Sequence, residues 1–178
     1  HPSQPNYIMM FCGTAHGVAD DAMPSGTPWT DENLGASLLQ NGFSFGGYSE
    51  DLPSIGSNVA SSGNYARKHN PWVNWQGNGV NQIPATCNMP FTHFPSDFNS
   101  LPDVSFVIPN QNNDMHNGSD PARIAQGDAW VYANLDAYVN WAMNNNSLLI
   151  LTFDEDNNAY QNRIPCIFVG PMVQPGNY

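Results

Sequence analysis

Three adjacent carboxylates form the segment of this sequence best suited to chemistry. Asp154, Glu155 and Asp156 come directly after the apolar run SLLILTF (147–153). Carboxylates this close repel one another and raise one another's pKa unless a cation lies among them. Hard divalent cations prefer carboxylate oxygens. The segment therefore predicts a metal site, with a solvated acidic turn as the alternative.

A second polar segment follows another apolar run. VSFVIP (104–109) leads into NQNNDMHNG, which places Asp114 and His116 two residues apart. A carboxylate and an imidazole at this spacing can reach one metal ion or one phosphate group. The alternative is a turn that carries a surface histidine.

The cations of the chain are few and partly clustered. Fifteen Asp and Glu residues against four Lys and Arg residues give a formal net charge of −11. Nucleic acids and anionic membranes are poor partners for such a surface. YARKHNPW (65–72) contains Arg67 and Lys68, followed by His69. This group can bind phosphate or offset nearby carboxylates at the surface.

Ser3 lies at the start of a predicted helix in HPSQPNYIMMFCG, which begins at a proline and ends at Gly13. A serine there can cap the helix, and its spacing alone favours that role. It can also act as a nucleophile, since helix N–H groups stabilise a phosphoryl group. The sequence has no G-x-S-x-G motif. His16 and His93 lack partners at ligand spacing, and we treat them as structural or surface residues.

The remaining pattern predicts the elements that position these groups. Buried strands alternating with helices indicate an α/β fold, a layered α/β/α sandwich with a largely parallel central sheet. Sites in such folds gather at the carboxyl ends of the strands. Residues 50–100 are irregular, and we predict a single domain over 1–178 with this segment as an insertion. The predicted helices cover 30–42, capped by Thr30, and 127–146, and the predicted strands cover 43–48, 104–109, 147–153 and 164–170.

Composition restricts the class of protein further. Hydrophobic residues make up 40% of the chain, which argues against disorder. The three cysteines indicate buried free thiols rather than a disulfide framework, and no apolar run is long enough for a membrane span. Few Lys and many Asn, Gln and Ser residues predict a secreted or periplasmic protein.

Several of these segments together resemble one known family. HPSQPNY, GYSE, YARKHNPW, FPSDFNSLPDVSFVIPNQNNDMHNG, LLILTFDED and NRIPCIFVGPMVQPG occur in this order. They resemble the phosphoesterase family of secreted acid phosphatases and phospholipase C enzymes, in the alkaline-phosphatase superfamily. The similarity extends over all of 1–178 and is greatest for the acid phosphatase and phosphatidylinositol-3-phosphatase branch.

The resemblance implies a role for each candidate residue. Ser3 corresponds to the nucleophile, His116 to a metal or phosphate ligand in the pocket, and His69 to a pocket residue that contacts phosphate or the leaving group; either histidine could donate a proton to the leaving group. A divalent metal ion of unknown identity would be held by carboxylates of the acidic segments, and substrate would be held by polar residues near the nucleophile. The metal ligands are assigned to Asp154, Glu155, Asp156 and Asp114, and substrate binding to Asn6, Lys68 and Arg67.

The implied function is metal-assisted hydrolysis of phosphate monoesters, with a small phosphate ester or a phosphoinositide as substrate. One alternative is a phosphodiesterase of phospholipase C type, with a choline cage made of Trp72, Trp75, Phe91 and Phe94. The other is a non-catalytic relic of the fold. Family members carry further segments on both sides of 1–178, including a strand that ends in a Glu-Asn pair of metal ligands. We therefore expect a truncated chain and a partner segment that completes the sheet.

Overall fold

The computed structural model describes residues 1–176. Three α-helices within this range are α1 (Ser3–Cys12), α2 (Leu34–Gln40) and α3 (Ala122–Ala142). Its strands are β1 (Phe45–Ser49), β2 (Ser61–Ser62), β3 (Tyr65–Ala66), β4 (Asn88–Pro90), β5 (Val104–Ile108), β6 (Leu149–Thr152) and β7 (Cys166–Val169).

A parallel sheet lies at the centre of the fold, as the sequence predicts. Its strand order is β4-β1-β5, with Phe45 opposite Val104 and Gly47 opposite Asn88. The carboxyl ends of all three strands therefore lie at one edge. Mixed α/β architecture around a parallel sheet is thus confirmed.

Alternation along β1 places helices on both sides of this sheet. Phe45 contacts Phe11 of α1 at 5.7 Å between ring centroids. Tyr48 points to the opposite side, where Phe94 lies 5.3 Å away. Phe94 stacks on Phe91, which in turn contacts Trp130 of α3. The sheet therefore separates α1 from α3, in agreement with a layered arrangement.

The irregular segment over 50–100 supplies much of the core. It consists of short 3-10 turns and very short strands, and its Trp72 and Trp75 are 0% exposed. Trp72 lies so close to β1 that a Cβ atom on Gly47 would be 2.3 Å from its ring. Both indoles pack with Ile8 and Phe11 of α1 in one cluster. The predicted choline cage is therefore wrong for these two tryptophans, because the core occupies both rings.

The helix boundaries correct two predicted caps. α1 ends at Gly13, which has the left-handed φ of 81°, as predicted. Pro2 occupies its N-cap without a side-chain hydrogen bond, so Ser3 is the first helical residue and not the cap. α2 is capped by Asn33, whose Oδ1 accepts from the Ala36 amide at 2.9 Å, and not by Thr30.

The strands after α3 differ from the prediction of buried, parallel elements. β6 and β7 pair antiparallel with each other in a separate two-stranded sheet. Ile150 is 52% exposed and Phe168 is 50% exposed. Within residues 1–176 each strand has only the other as its ladder partner, so their apolar side chains remain partly open. The three cysteines are free thiols, but the prediction that they are buried is wrong, because Cys12 and Cys87 are partly exposed and Cys166 is exposed.

Within the described range, the longest helices are too short or too polar to cross a bilayer.

Candidate active site

The first turn of α1 brings Ser3 to the acidic segment that follows β6. Ile8 and Phe11 anchor α1 in the core, and this anchoring fixes the position of its N-terminus. Ser3 is 3% exposed, and its hydroxyl donates to Glu155 Oε1 at 3.2 Å. The predicted nucleophile and a predicted metal ligand are 152 residues apart in sequence and meet here.

Asp154 lies in the same environment and is electrostatically strained. Burial is the largest cause that raises its pKa, and the negative charge of Glu155 is the next. His69 and the Ser3 hydroxyl act against this shift without reversing it. Asp154 Oδ2 is buried and has no hydrogen-bond partner among the described residues. A buried carboxylate oxygen without a partner, beside a second carboxylate, is a fitting donor set for a hard divalent cation.

Asp156 has a different environment from its two neighbours. Its carboxylate accepts from the backbone amides of Asn158, Tyr160 and Asn162 at 2.8 to 3.0 Å. Desolvation opposes the effect, but these bonds hold the pKa of Asp156 below its ordinary value. The Asp156 carboxylate therefore shapes the loop after β6, and its role as a metal ligand stays a prediction.

His1 links the second and third carboxylates of the acidic segment. Its Nδ1 lies 2.9 Å from Glu155 Oε2, and its Nε2 lies 2.9 Å from Asp156 Oδ1. This histidine is not among the predicted site residues, although it lies only two residues before Ser3.

His69 and Asp114 form a second pair beside the nucleophile. His69 is 4% exposed, and its Nδ1 lies 3.1 Å from Asp114 Oδ2. Tyr7 of α1 contacts the ring of His69, with 5.3 Å between centroids. Burial, and then the charges of Asp154, Asp114 and Glu155, hold the pKa of Tyr7 well above its ordinary value. Tyr7 is therefore within electrostatic reach of all three carboxylates.

A third chain of contacts connects α1 to His116. Asp21 accepts from the Gln4 amide at 3.0 Å and from Lys68 Nζ at 2.7 Å. Burial opposes the shift, but Lys68 and Gln4 hold the pKa of Asp21 below its ordinary value. Lys68 Nζ also lies 3.2 Å from His116 Nε2. Since an ammonium group can only donate, this contact requires that Nε2 accept. His69 and His116 are 5.9 Å apart between ring centroids.

The remaining two candidates have separate positions. Asn6 lies one turn after Ser3 on α1, and its buried Nδ2 has no hydrogen-bond partner in the described range. Arg67 is 3% exposed, and its Nε donates to Asn58 at 2.8 Å. Burial lowers the pKa of Arg67. The hydrogen bond from Arg67 to Asn58 thus stabilises the irregular segment over 50–100. Substrate binding by Asn6 or Arg67 stays a prediction.

The prolines of HPSQPNY limit what the end of α1 can donate. Pro2 and Pro5 have no N–H group, and the Gln4 amide is already bonded to Asp21. The Ser3 amide remains as the donor of this first turn. The expectation that several helix amides bind one phosphoryl group is therefore reduced to one amide and the helix dipole.

Comparison with known proteins agrees with the motifs. A phosphatidylinositol-3-phosphatase of Mycobacterium tuberculosis is 49% identical over 180 residues, which cover 100% of this chain and 57% of the relative. A phosphate-repressible acid phosphatase of Penicillium chrysogenum is 31% identical, covering 97% of this chain and 43% of the relative. An acid phosphatase of Aspergillus fumigatus is 30% identical, covering 97% and 40% respectively. No solved structure matches significantly.

The chain thus spans about half the length of the curated relatives it matches. The sequence model of the phosphoesterase family matches residues 1–178. The resemblance drawn from the motifs is confirmed: the chain belongs to the phosphoesterase family.

Proposed function

We propose that the protein hydrolyses phosphate monoesters through Ser3, with a divalent metal ion bound by Asp154 and Glu155. The observation that carries this proposal is the buried Ser3 hydroxyl on Glu155, beside the unpartnered Oδ2 of Asp154. When bound, the cation would neutralise phosphate and favour the ionised serine. The names of the phosphatase relatives support the same reaction class.

The residues of the chain itself account for orientation and proton movement. Ser3 attacks phosphorus as its hydroxyl proton passes to Glu155, the bond to the leaving alcohol breaks, and the alcohol departs with a proton from the general acid. Water then hydrolyses the phosphoserine and releases phosphate. The Asn6 side-chain amide, one helical turn away, is an unpaired donor for a phosphoryl oxygen. Lys68, whose ammonium group contacts Asp21 and His116, provides positive charge beside the first turn of α1.

His69 is the better placed proton donor for the leaving group. Asp114 holds its Nδ1, which orients the ring and leaves Nε2 for the substrate. His116 presents Nε2 to Lys68 as an acceptor, so it is not a donor at that atom while the contact lasts. We assign general acid catalysis to His69, and to His116 the positioning of the Lys68 ammonium group through its Nε2.

Substrate class and location belong to the same proposal. The relative from M. tuberculosis is named for a phosphatidylinositol 3-phosphate substrate, and a phosphoinositide headgroup carries the phosphate monoester that this site would take. Low Lys content and the net charge of −11 support a secreted or periplasmic location.

The exposed apolar residues of β6 and β7 support our proposal that a further segment of the same polypeptide covers this pair.

The test compares Ser3→Ala with Ser37→Ala, an exposed serine on α2, in the protein that contains this chain. Turnover of a chromogenic phosphate monoester with added divalent cation should fall by at least about 10³-fold for Ser3→Ala. Ser37→Ala should retain it. Acid quenching should trap a phosphoserine on wild type alone. Full activity in Ser3→Ala would overturn the assignment, and a wild type that neither binds metal nor hydrolyses esters would favour a relic of the fold.

A further inference from the structure

A second group of potential ligands lies at the opposite end of α1 from Ser3. It consists of the Cys12 thiol, the His16 imidazole and the Asp31 carboxylate, whose ligand atoms all lie within 4.8 Å of one another. Nine residues of helix separate Cys12 from Ser3, a rise of about 14 Å. The group is therefore distinct from the proposed phosphatase site, and none of its members is used there.

The surroundings of His16 hold its ring in one orientation. Trp29 stacks on it, with 4.3 Å between centroids and 13° between planes, and Trp75 meets it edge-on at 5.6 Å. Its Nε2 lies 2.5 Å from Asp31 Oδ2. The backbone of His16 has a φ of 55°, a conformation that is uncommon outside glycine. The fold thus maintains a strained residue whose side chain faces a carboxylate and a thiol.

The electrostatic environment of the cluster favours a cation. Cys12 is the last residue of α1, where the unpaired carbonyl groups and the helix dipole are negative. Asp31 adds a full negative charge. Lys68 and Arg123 do not offset this charge, because they pair with Asp21 and Asp120 elsewhere in the described structure. The carbonyl end of α1 and the Asp31 carboxylate therefore both present negative charge to a bound cation.

We propose that Cys12, His16 and Asp31 bind Zn²⁺. Sulfur, nitrogen and carboxylate oxygen together suit this borderline-soft ion, and three protein ligands leave one position for water. Binding releases the thiol proton to solvent. Two tetrahedral ligands at zinc are about 3.3 Å apart, so the short His16–Asp31 contact opens when the ion enters.

The site would join the end of α1 to the segment that precedes α2. Asp31 lies two residues before Asn33, which caps α2 and also donates to the Asn81 carbonyl at 2.8 Å. A cavity of about 450 Å³ lined by Cys12, Glu32 and Ser37 adjoins the thiol. The ion would therefore fix the relative position of α1 and α2 from an open side of the molecule.

The first test measures Zn²⁺ binding by the chelator-treated protein that contains this chain. Asp154→Asn and Glu155→Gln are included as a background that removes ligands of the phosphatase site. One equivalent of Zn²⁺ should bind, and Cys12→Ser or His16→Gln should weaken binding at least about 100-fold. Cys87→Ser, which removes another half-buried thiol, should leave binding unchanged. Equal binding by the Cys12→Ser variant would overturn the proposal.

A second test does not depend on whether a variant folds. Co²⁺ in place of Zn²⁺ should give wild-type protein a thiolate-to-cobalt charge-transfer absorption that disappears when Zn²⁺ is added. Zn²⁺ should also slow alkylation of Cys12 by iodoacetamide, without slowing alkylation of the exposed Cys166. A spectrum without the charge-transfer band contradicts the site. Rapid alkylation of Cys12 that Zn²⁺ does not slow would identify a reactive cysteine instead and would also contradict it.

Discussion

Asp154→Asn should stabilise the metal-free chain while it removes a ligand of the proposed metal site. The Ser3 hydroxyl interacts with both Glu155 and Asp154. Two oxygens that share one hydroxyl lie within about 7 Å of each other, since neither is more than about 3.5 Å from it. At an effective dielectric constant near 20, two unit charges at about 7 Å repel by about 2.4 kcal/mol. Asparagine removes this repulsion and keeps the shape of the side chain.

The assay is urea unfolding in chelator, with Asp128→Asn on the exposed side of α3 as the matched control. The free energy of unfolding should rise by about 2 kcal/mol at about pH 7 for Asp154→Asn, and by less than about 0.5 kcal/mol for the control.

The pH dependence follows from the direction of the shift. A raised pKa in the folded state means that wild-type stability falls as the pH rises through that pKa. The advantage of Asp154→Asn should therefore shrink as the pH is lowered from neutral toward the ordinary pKa of an aspartate side chain. Added divalent cation should stabilise wild type more than the variant. A variant less stable than wild type at neutral pH, in chelator, would refute the view that Asp154 is held against its own charge.

Three further predictions follow from the described contacts. His69→Gln and Asp114→Asn should both slow hydrolysis of a phosphate ester with a poor leaving group by about 10²–10⁴-fold. Hydrolysis of a nitrophenyl ester should be affected far less, because a good leaving group needs no proton. Equal losses on both esters would contradict general acid catalysis. Gly47→Ala should lower the free energy of unfolding by about 1–3 kcal/mol, measured in urea, because its Cβ would meet the Trp72 ring. Phe168→Lys should reduce binding of a hydrophobic dye by the isolated chain, since this ring is half exposed on β7; unchanged dye fluorescence would place the open apolar surface elsewhere.

The sequence predicts best those helices and strands whose ends are determined by residues close to them in the chain. The proline start and Gly13 end of α1 are encoded within a few residues, and so are the apolar runs of β1 and β5. Thr30 failed as a cap because Asn33, three residues later, has a side chain that reaches the Ala36 amide. The exposure of β6 and β7 depends on what pairs with them, which an apolar run does not specify.

The candidate site divides in the same way. Local patterns singled out Glu155 and His69, and the family resemblance added the expectation that Ser3 is a nucleophile. The fold brings the side chains of Ser3 and Glu155 into contact across 152 residues of sequence. Spacing alone had made Ser3 a cap. His16 has no partner at ligand spacing in the predicted pattern, whereas in the structure its ring stacks on Trp29 and its Nε2 contacts Asp31, 15 residues later. A contact between residues that a loop brings together, such as His16 and Asp31, cannot be predicted from their spacing in the sequence.

The two prolines at the start of α1 have a consequence for selectivity. A helix N-terminus with several free amides binds sulfate, carboxylate and phosphate groups without much selectivity. Here Pro2, Pro5 and the Gln4–Asp21 bond withdraw most of those donors. In the site proposed above, the carboxylates of Asp154 and Glu155 would oppose anion entry until a cation is bound. Cation binding would then precede phosphate binding, and competing anions would be kept out of the metal-free site.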